Sequence, residues 1–329
     1  MNAQSCWNAC VAAAALSVSA TSVPAQAQLK VDAKLPEYKA VKGVSGRLTI
    51  LGSDTMKNVM TYWGDGFKKF YPDIQIEIQG RGATTGPYAL LAGNIHFAPM
   101  SRSFTAKEIA MFRKEYGHEP TGLTTCVEML AVFVHKDNPL KGLTLPQLDA
   151  IFSRTRKGGF GKAINSWGAL GLEGEWANKP IVLYGRNSAS ASYGYFKEKA
   201  LFSGDFRDEV KEQPGSSSVV QGVGRDKYGI GYAGIAYKTA DVRALALAQD
   251  AKTEATPAEP ERAVQGDYPL ARKLYVYLNH KPGAELDPLR REFVRYLYSK
   301  QGQADVLLSG YVPMDETVAA KARASVAIK

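Results

Sequence analysis

The stretch GRLTILGSDTMKNVMTYWGDGFKKFYPDIQIEIQGRG, residues 46–82, decides the fold class. Its first part alternates apolar and polar residues as a strand does and stops at Gly52. Val59, Met60, Trp63, Phe67 and Phe70 then recur at helical spacing, and Ile74, Ile76 and Ile78 return to a spacing of two. Downstream, GPYALLAG (86–93) reads as a short helix, IHFAPMS (95–101) as a strand and TAKEIAMFRKEYG (105–117) as a helix. This β-α-β-α-β order predicts a mostly parallel sheet covered by helices. In such sheets ligands sit at the carboxyl ends of the strands, where each strand passes into the next helix.

Further along, CVEMLAVFVHKDNP (126–139) predicts a long apolar strand, and LTLPQLDAIFSR (143–154) a capped helix with Pro146 in its first turn. KPIVLYGRNSAS is strand into loop, SYGYFKEKALF a helix, and the stretch 216–237 ends in a Gly/Tyr alternation that reads as a strand. KLYVYLN (273–279) is a strand, 286–310 are helical, and the polar stretch 251–262 is a loop. No repeat recurs along the chain. The apolar strands 128–134 and 229–236 mark two breaks, read as two crossings of a hinge. That places 28–134 plus 235–329 in one lobe and 135–234 in the other.

The 329 residues suffice for two domains, and 45% hydrophobic with 22% charged residues is a globular composition. At the amino end, CWNACVAAAALSVSA followed by TSVPAQAQ reads as a secretory signal peptide cut after Ala27. Its leading residues contain no Lys or Arg, so a disordered tail is the other reading. Removing residues 1–27 leaves Cys126 as the one cysteine, which allows no internal disulfide. Its apolar surroundings suit a small buried residue better than a nucleophile. Four scattered histidines (96, 118, 135, 280) lack metal-ligand spacing. The net charge of +9 serves solubility or draws a small anion. No basic run or zinc-finger spacing points to nucleic acid.

Three strand-to-helix turns share one composition: LGSDTM (51–56), GRGATTG (80–86) and GRNSASAS (185–192). The first turn of a helix has free N–H groups and partial positive charge, so it holds an anion. Gly and Ala admit an oxyanion close to the backbone, and Ser and Thr add hydroxyl donors. Arg186 offers a planar guanidinium able to hold two oxygens of one anion. Taken singly, each turn is an ordinary set of helix caps. GRGATTG is neither a dinucleotide-binding turn nor a P-loop, because the spacing and the Gly-Lys-Ser/Thr ending are missing. Together, the three predict one convergent anion site.

TILGSDTM, GRGATTGPYALLAG, FAPMSR, YGRNSASASYGYFKE, YGIGYAGIAY and LDPLRREFVRYLYSKQGQADVLLSGYVPM occur in this order. As a set they resemble the periplasmic phosphate-binding proteins of ABC-type phosphate uptake (PstS-like), over residues 46–314. The resemblance implies a type II periplasmic-binding-protein fold, an α/β architecture of two lobes with the ligand buried between them. It implies phosphate contacts from Thr55 and the backbone of Met56, and from Ala83 and Thr84 where relatives carry a Ser. It also implies Arg186 with Ser190, Ala191 and Ser192 from the other lobe. Ser101 stands where that family places an Asp that accepts the proton of phosphate. A carboxylate accepts only, and so rejects sulfate, whereas a hydroxyl donates as well. Asp54 is either a replacement acceptor or a helix-start carboxylate, and Arg102 adds charge to the site or faces solvent.

The expected role is capture of phosphate in the periplasm by a monomer that delivers it to a membrane permease, with no cofactor, metal or catalytic residue. Binding of sulfate, molybdate or tungstate is the alternative. A phosphatase-like enzyme would need a nucleophile with a base in reach. The three turns hold no histidine, no G-x-S-x-G elbow is present, and His96 lies on a strand.

Overall fold

The computed structural model describes residues 29–328, so the expected signal segment and its cleavage point lie outside the described residues. Strand β1 (Arg47–Gly52) leads into helix α1 (Lys57–Lys68), β2 (Gln75–Gly80) into α2 (Thr85–Leu91), and β3 (Ala98–Met100) into α3 (Ala106–Tyr116). The long β4 (Thr121–His135) and β5 (Gly142–Thr144) precede α4 (Leu145–Phe152), then β6 (Val182–Arg186) and α5 (Ala191–Lys199). Next come β7 (Lys211–Gln213), α6 (Ser216–Arg225), β8 (Gly229–Gly234), β9 (Val242–Ala244) and β10 (Ala246–Ala248). The described chain closes with α7 (Pro260–Gln265), β11 (Ala271–Leu278), α8 (Pro288–Leu297), α9 (Lys300–Leu308), β12 (Val312–Pro313) and α10 (Glu316–Ala324).

Local chemistry sets several boundaries. Helix α1 buries Val59, Met60, Trp63 and Phe67 on the face their spacing predicts. Thr105 with Glu108 and Thr144 with Gln147 form reciprocal capping boxes that start α3 and α4. The polar stretch read as a loop is partly helical, because Pro260 pre-sets the first turn of α7 and Gly266 ends it in the left-handed region. Ser216–Arg225 also forms a helix ahead of the expected strand, with Val219, Val220 and Val223 buried.

The sheet is mixed rather than mostly parallel. Among the strands of the described residues, β1 with β2, β6 with its neighbours β7 and β8, and β10 with β5 pair in parallel, and the others pair antiparallel. The principal sheet has the order β3-β11-β4-β8-β6-β7. Strand β11 arrives from the far end of the chain and inserts antiparallel between β3 and β4. Strand β4 is 15 residues long and serves two neighbourhoods. Its first part pairs with β11, ending at Met129 opposite Ala271, and its second part pairs with β8, starting at Leu130 opposite Gly234.

The apolar interior divides in the same way. One cluster joins Leu48, Ile50, Trp63, Phe67, Leu274 and Phe293. Another joins Leu130, Phe152, Trp167, Phe196, Ile230 and Leu270, and it takes in Leu245 and Leu247 of the segment that follows β8. In the first cluster, α9 closes on the end of α8. A Cβ at Gly302 would lie 2.0 Å from the Tyr296 carbonyl oxygen, and the Gly302 carbonyl accepts the indole N–H of Trp63 at 2.7 Å. Neither backbone can withdraw cheaply. Gly302→Ala is therefore expected to cost about 1–3 kcal/mol of stability, read as a lower urea midpoint; an unchanged midpoint would contradict this close approach.

Candidate functional site

The turn between β1 and α1 is buried throughout: Ser53, Asp54, Thr55 and Met56 are all nearly inaccessible. Tyr237 donates its hydroxyl to the Asp54 carbonyl at 2.5 Å, and Tyr311 donates to the Thr55 carbonyl at 2.7 Å. Burial pushes both phenols well above their ordinary range, so they stay protonated donors. The Met56 N–H donates to the Ser53 carbonyl at 3.2 Å, so this amide is already engaged within the turn.

Asp54 reaches away from its own helix. One carboxylate oxygen accepts from Arg186 Nη2 at 2.6 Å, and the other accepts from the Ser216 N–H at 3.0 Å and the Ser216 hydroxyl at 3.2 Å. The carboxylate thus sits at the amino end of α6, where the unpaired N–H groups favour negative charge. Arg186 is 1% exposed and multiply held. Its Nη1 donates to the Ser216 hydroxyl at 3.0 Å, Nη2 also to the Pro214 carbonyl at 3.1 Å, and Nε to the Gln213 carbonyl at 3.4 Å. Of the two readings of Asp54, the cap of its own helix is not the one seen.

The third turn meets the first directly. The Thr55 and Ser192 hydroxyl oxygens are 3.3 Å apart, and the Ser190 hydroxyl caps α5 by accepting the Ser192 N–H at 3.1 Å. The second turn meets the third as well: the Thr84 N–H and hydroxyl both donate to the Ala189 carbonyl, at 3.3 and 3.1 Å. Gly82 permits this approach, with a φ of +101° and a position where a Cβ would lie 2.7 Å from that same carbonyl oxygen. Ala83 and Ala191 are buried in one apolar cluster. Ser101 pairs its hydroxyl with that of Ser53 at 2.8 Å, beside Asp54 in the chain.

Thr55, Ala83, Thr84, Arg186, Ser190, Ala191 and Ser192 are therefore gathered where the three turns converge, with Ser101 joined to the first turn through Ser53. Arg102 holds Glu108 with both terminal guanidinium nitrogens, at 2.8 and 2.7 Å, and belongs to the start of α3. Ser188 is exposed. His96 Nδ1 accepts the Thr49 N–H at 3.0 Å, and burial, followed by the nearby Arg290, lowers its pKa; it lies half-buried in the bend ahead of β3, not on the strand itself. Cys126 is fully buried, and burial pushes its thiol far up.

Sequence reasoning missed two parts of the cluster. One is Ser216, foreshadowed only by a Gly and three Ser residues ahead of an apolar run. The other is a second buried ion pair, Glu128 with Arg272, whose Oε2 and Nε are 2.9 Å apart. Arg272 Nη2 also donates to the Ser192 hydroxyl at 2.6 Å. The lone glutamate within CVEMLAVFV was a signal, since a charge in an apolar strand needs a partner. Burial raises the Glu128 carboxyl and Arg272 opposes that rise.

Chemically, the arrangement offers hydroxyls, two helix amino ends and guanidinium N–H groups around two carboxylates. It suits holding an oxyanion. Among the described residues, no group of three or more His, Cys, Asp or Glu could hold a metal ion.

Comparison with known proteins places this geometry in context. Residues 21–301 match the model of a PBP superfamily domain. The phosphate-binding protein PstS of Pseudomonas aeruginosa is 49% identical over 310 residues, which covers 94% of this chain and 96% of that one. The protein of the same name from Staphylococcus haemolyticus is 27% identical, with 84% of this chain and 83% of that one covered. An ABC-type phosphate transport receptor from Vibrio cholerae superposes with a TM-score of 0.60 at 19% identity, covering 82% of this chain and all of that one. At that identity the superposition speaks for the fold.

The Asp54–Arg186 pair has a measurable signature. Asp54→Ala and Arg186→Ala are each expected to lower unfolding free energy by about 3–5 kcal/mol, because each leaves a buried charge unpaired. In urea denaturation the double variant should lose clearly less than the sum; additive losses would show that the two side chains do not interact.

Proposed function

This chain belongs to the PBP superfamily and, within it, to the PstS-like phosphate-binding proteins, and on that premise we propose that it captures inorganic phosphate between two lobes and delivers it to an ABC-type membrane permease. The observation that carries the reading is the meeting of the turns after β1, β2 and β6 with the amino end of α6, around the Asp54–Arg186 pair. Phosphate enters the reading from the names of the relatives and from the chemistry of these donors. The residues proposed to hold it are Thr55, Ala83, Thr84, Ser101, Arg186, Ser190, Ala191 and Ser192, together with the Met56 N–H, which would have to leave the Ser53 carbonyl to do so. Asp54 adds an acceptor for a phosphate proton, since one of its oxygens carries a single contact. The reading is capture without a chemical step.

On this reading the first two turns lie on one lobe and the turn carrying Arg186 on the other. The apolar clusters support a division at β4. They favour a return crossing at the start of β11, because Leu245, Leu247, Tyr268 and Leu270 pack with the second cluster. The proposed site of action is the periplasm, with the protein exported by its amino-terminal signal and acting as a monomer. No helix among the described residues is long and apolar enough to cross a membrane.

The second reading, binding of another oxyanion, draws on Ser101. Its hydroxyl, paired with Ser53, can turn to donate to an anion that has no proton.

Titration calorimetry of the protein lacking residues 1–27 tests the proposal with phosphate, arsenate and sulfate. One saturable phosphate site is expected, with arsenate competing and sulfate far weaker; no saturable phosphate binding would refute it. Ser101→Asp is expected to raise the phosphate-to-sulfate affinity ratio by about tenfold, the equivalent of about 1.4 kcal/mol. An unchanged ratio would remove Ser101 from the site.

A further inference from the structure

We propose that Arg272 is a second guanidinium of the anion site, donating through Nη1 to an oxygen of the bound phosphate; this rests on the phosphate reading above. Arg272 is 9% exposed, and its Nη1 is buried with no hydrogen-bond partner. Its two N–H groups are stripped of water, and a buried donor left unpaired costs as much as a lost hydrogen bond. Native proteins rarely keep such a group unless a ligand or another unseen partner meets it.

The rest of the side chain is fixed next to the third turn of the anion site. Nε is held by Glu128 at 2.9 Å, and Nη2 by the Ser192 hydroxyl at 2.6 Å. Nη2 meets Ser192 in the first turn of α5, and because the guanidinium is a rigid plane Nη1 lies beside Nη2. The Tyr195 ring packs under that plane at 5.0 Å from its central carbon, and the Tyr195 hydroxyl is anchored to the Ala271 carbonyl at 2.7 Å. Glu128 in turn fits because position 234 is glycine, where a Cβ would lie 2.5 Å from its Oε1.

The two arginines are not equivalent. Every nitrogen of the Arg186 guanidinium already donates to a protein acceptor. Arg272 keeps a whole Nη group uncommitted. Arg186 thus sets the frame through Asp54 and keeps one Nη1 N–H for an incoming oxyanion, while Arg272 brings both N–H groups of its Nη1. Neutralising Glu128 alone needs only the Nε contact and gives no reason for burying Nη1.

Calorimetry with inorganic phosphate on wild type, Arg272→Lys, Arg272→Gln and the double variant Glu128→Gln/Arg272→Gln separates these roles. Arg272→Gln is expected to bind about 30-fold more weakly, the scale of a hydrogen bond to a charged group, and Arg272→Lys to fall between it and wild type. The double variant should stay weak. If Arg272 only balances Glu128, removing both charges restores binding, and affinity within about threefold of wild type would overturn the proposal. Wild-type binding with Arg272→Gln unchanged overturns this inference alone; absence of wild-type binding removes the phosphate reading and this inference together. Should Arg272→Gln fail to fold, a crystal structure of wild type grown with phosphate decides. Arg272 Nη1 within hydrogen-bond distance of a phosphate oxygen supports the proposal, and a phosphate bound out of its reach overturns it.

Discussion

The site depends on one buried carboxylate. Asp54 is buried, and its carboxylate is met by Arg186 and by the amino end of α6. Satisfying it binds the turn after β1 to segments more than 130 residues further along the chain. A buried ion pair contributes little net stability and strong geometric definition when every lone pair and N–H is used. Here it fixes the guanidinium, the start of α6 and the first turn relative to one another. Donors held in place before an anion arrives need not be ordered on binding, and that is where affinity for a small ion originates.

Around this frame the charges cancel. Asp54 and Glu128 match Arg186 and Arg272, so the cluster is not simply electropositive. The overall charge of +9 can steer an anion from a distance, but local N–H and O–H groups must hold it. The hydroxyl pairs Thr55–Ser192 and Ser53–Ser101 suit that task, because each hydroxyl can turn from its neighbour to a stronger acceptor. Phosphate, which both accepts and donates, matches a site that contains donors and carboxylates together.

Much of this was legible in the chain. The strand-helix-strand periodicity of residues 46–82 marked the first elements, and the three Gly/Ser/Thr turns with Arg186 at the end of β6 marked segments that the structure brings together. The sheet's mixed character was not legible, because β11 pairs with β4 across about 150 residues and local periodicity says nothing of direction. The partners of Asp54 were hidden for the same reason: a carboxylate before a helix looks like a cap until a remote guanidinium is placed beside it. Ser216 was masked by reading its segment for the strand at its end. Glu128 left a trace as a charge in an apolar run, Arg272 beside Lys273 left none, and their pairing is a matter of sheet register.

The central claim is that these turns and Arg186 surround one bound oxyanion. Diffraction at the arsenic absorption edge, from crystals grown with arsenate, tests it most directly. The account predicts a single strong anomalous peak enclosed by Thr55, Ala83, Arg186 and Ser192. A peak elsewhere on the molecule, with those residues keeping their present contacts, would contradict it.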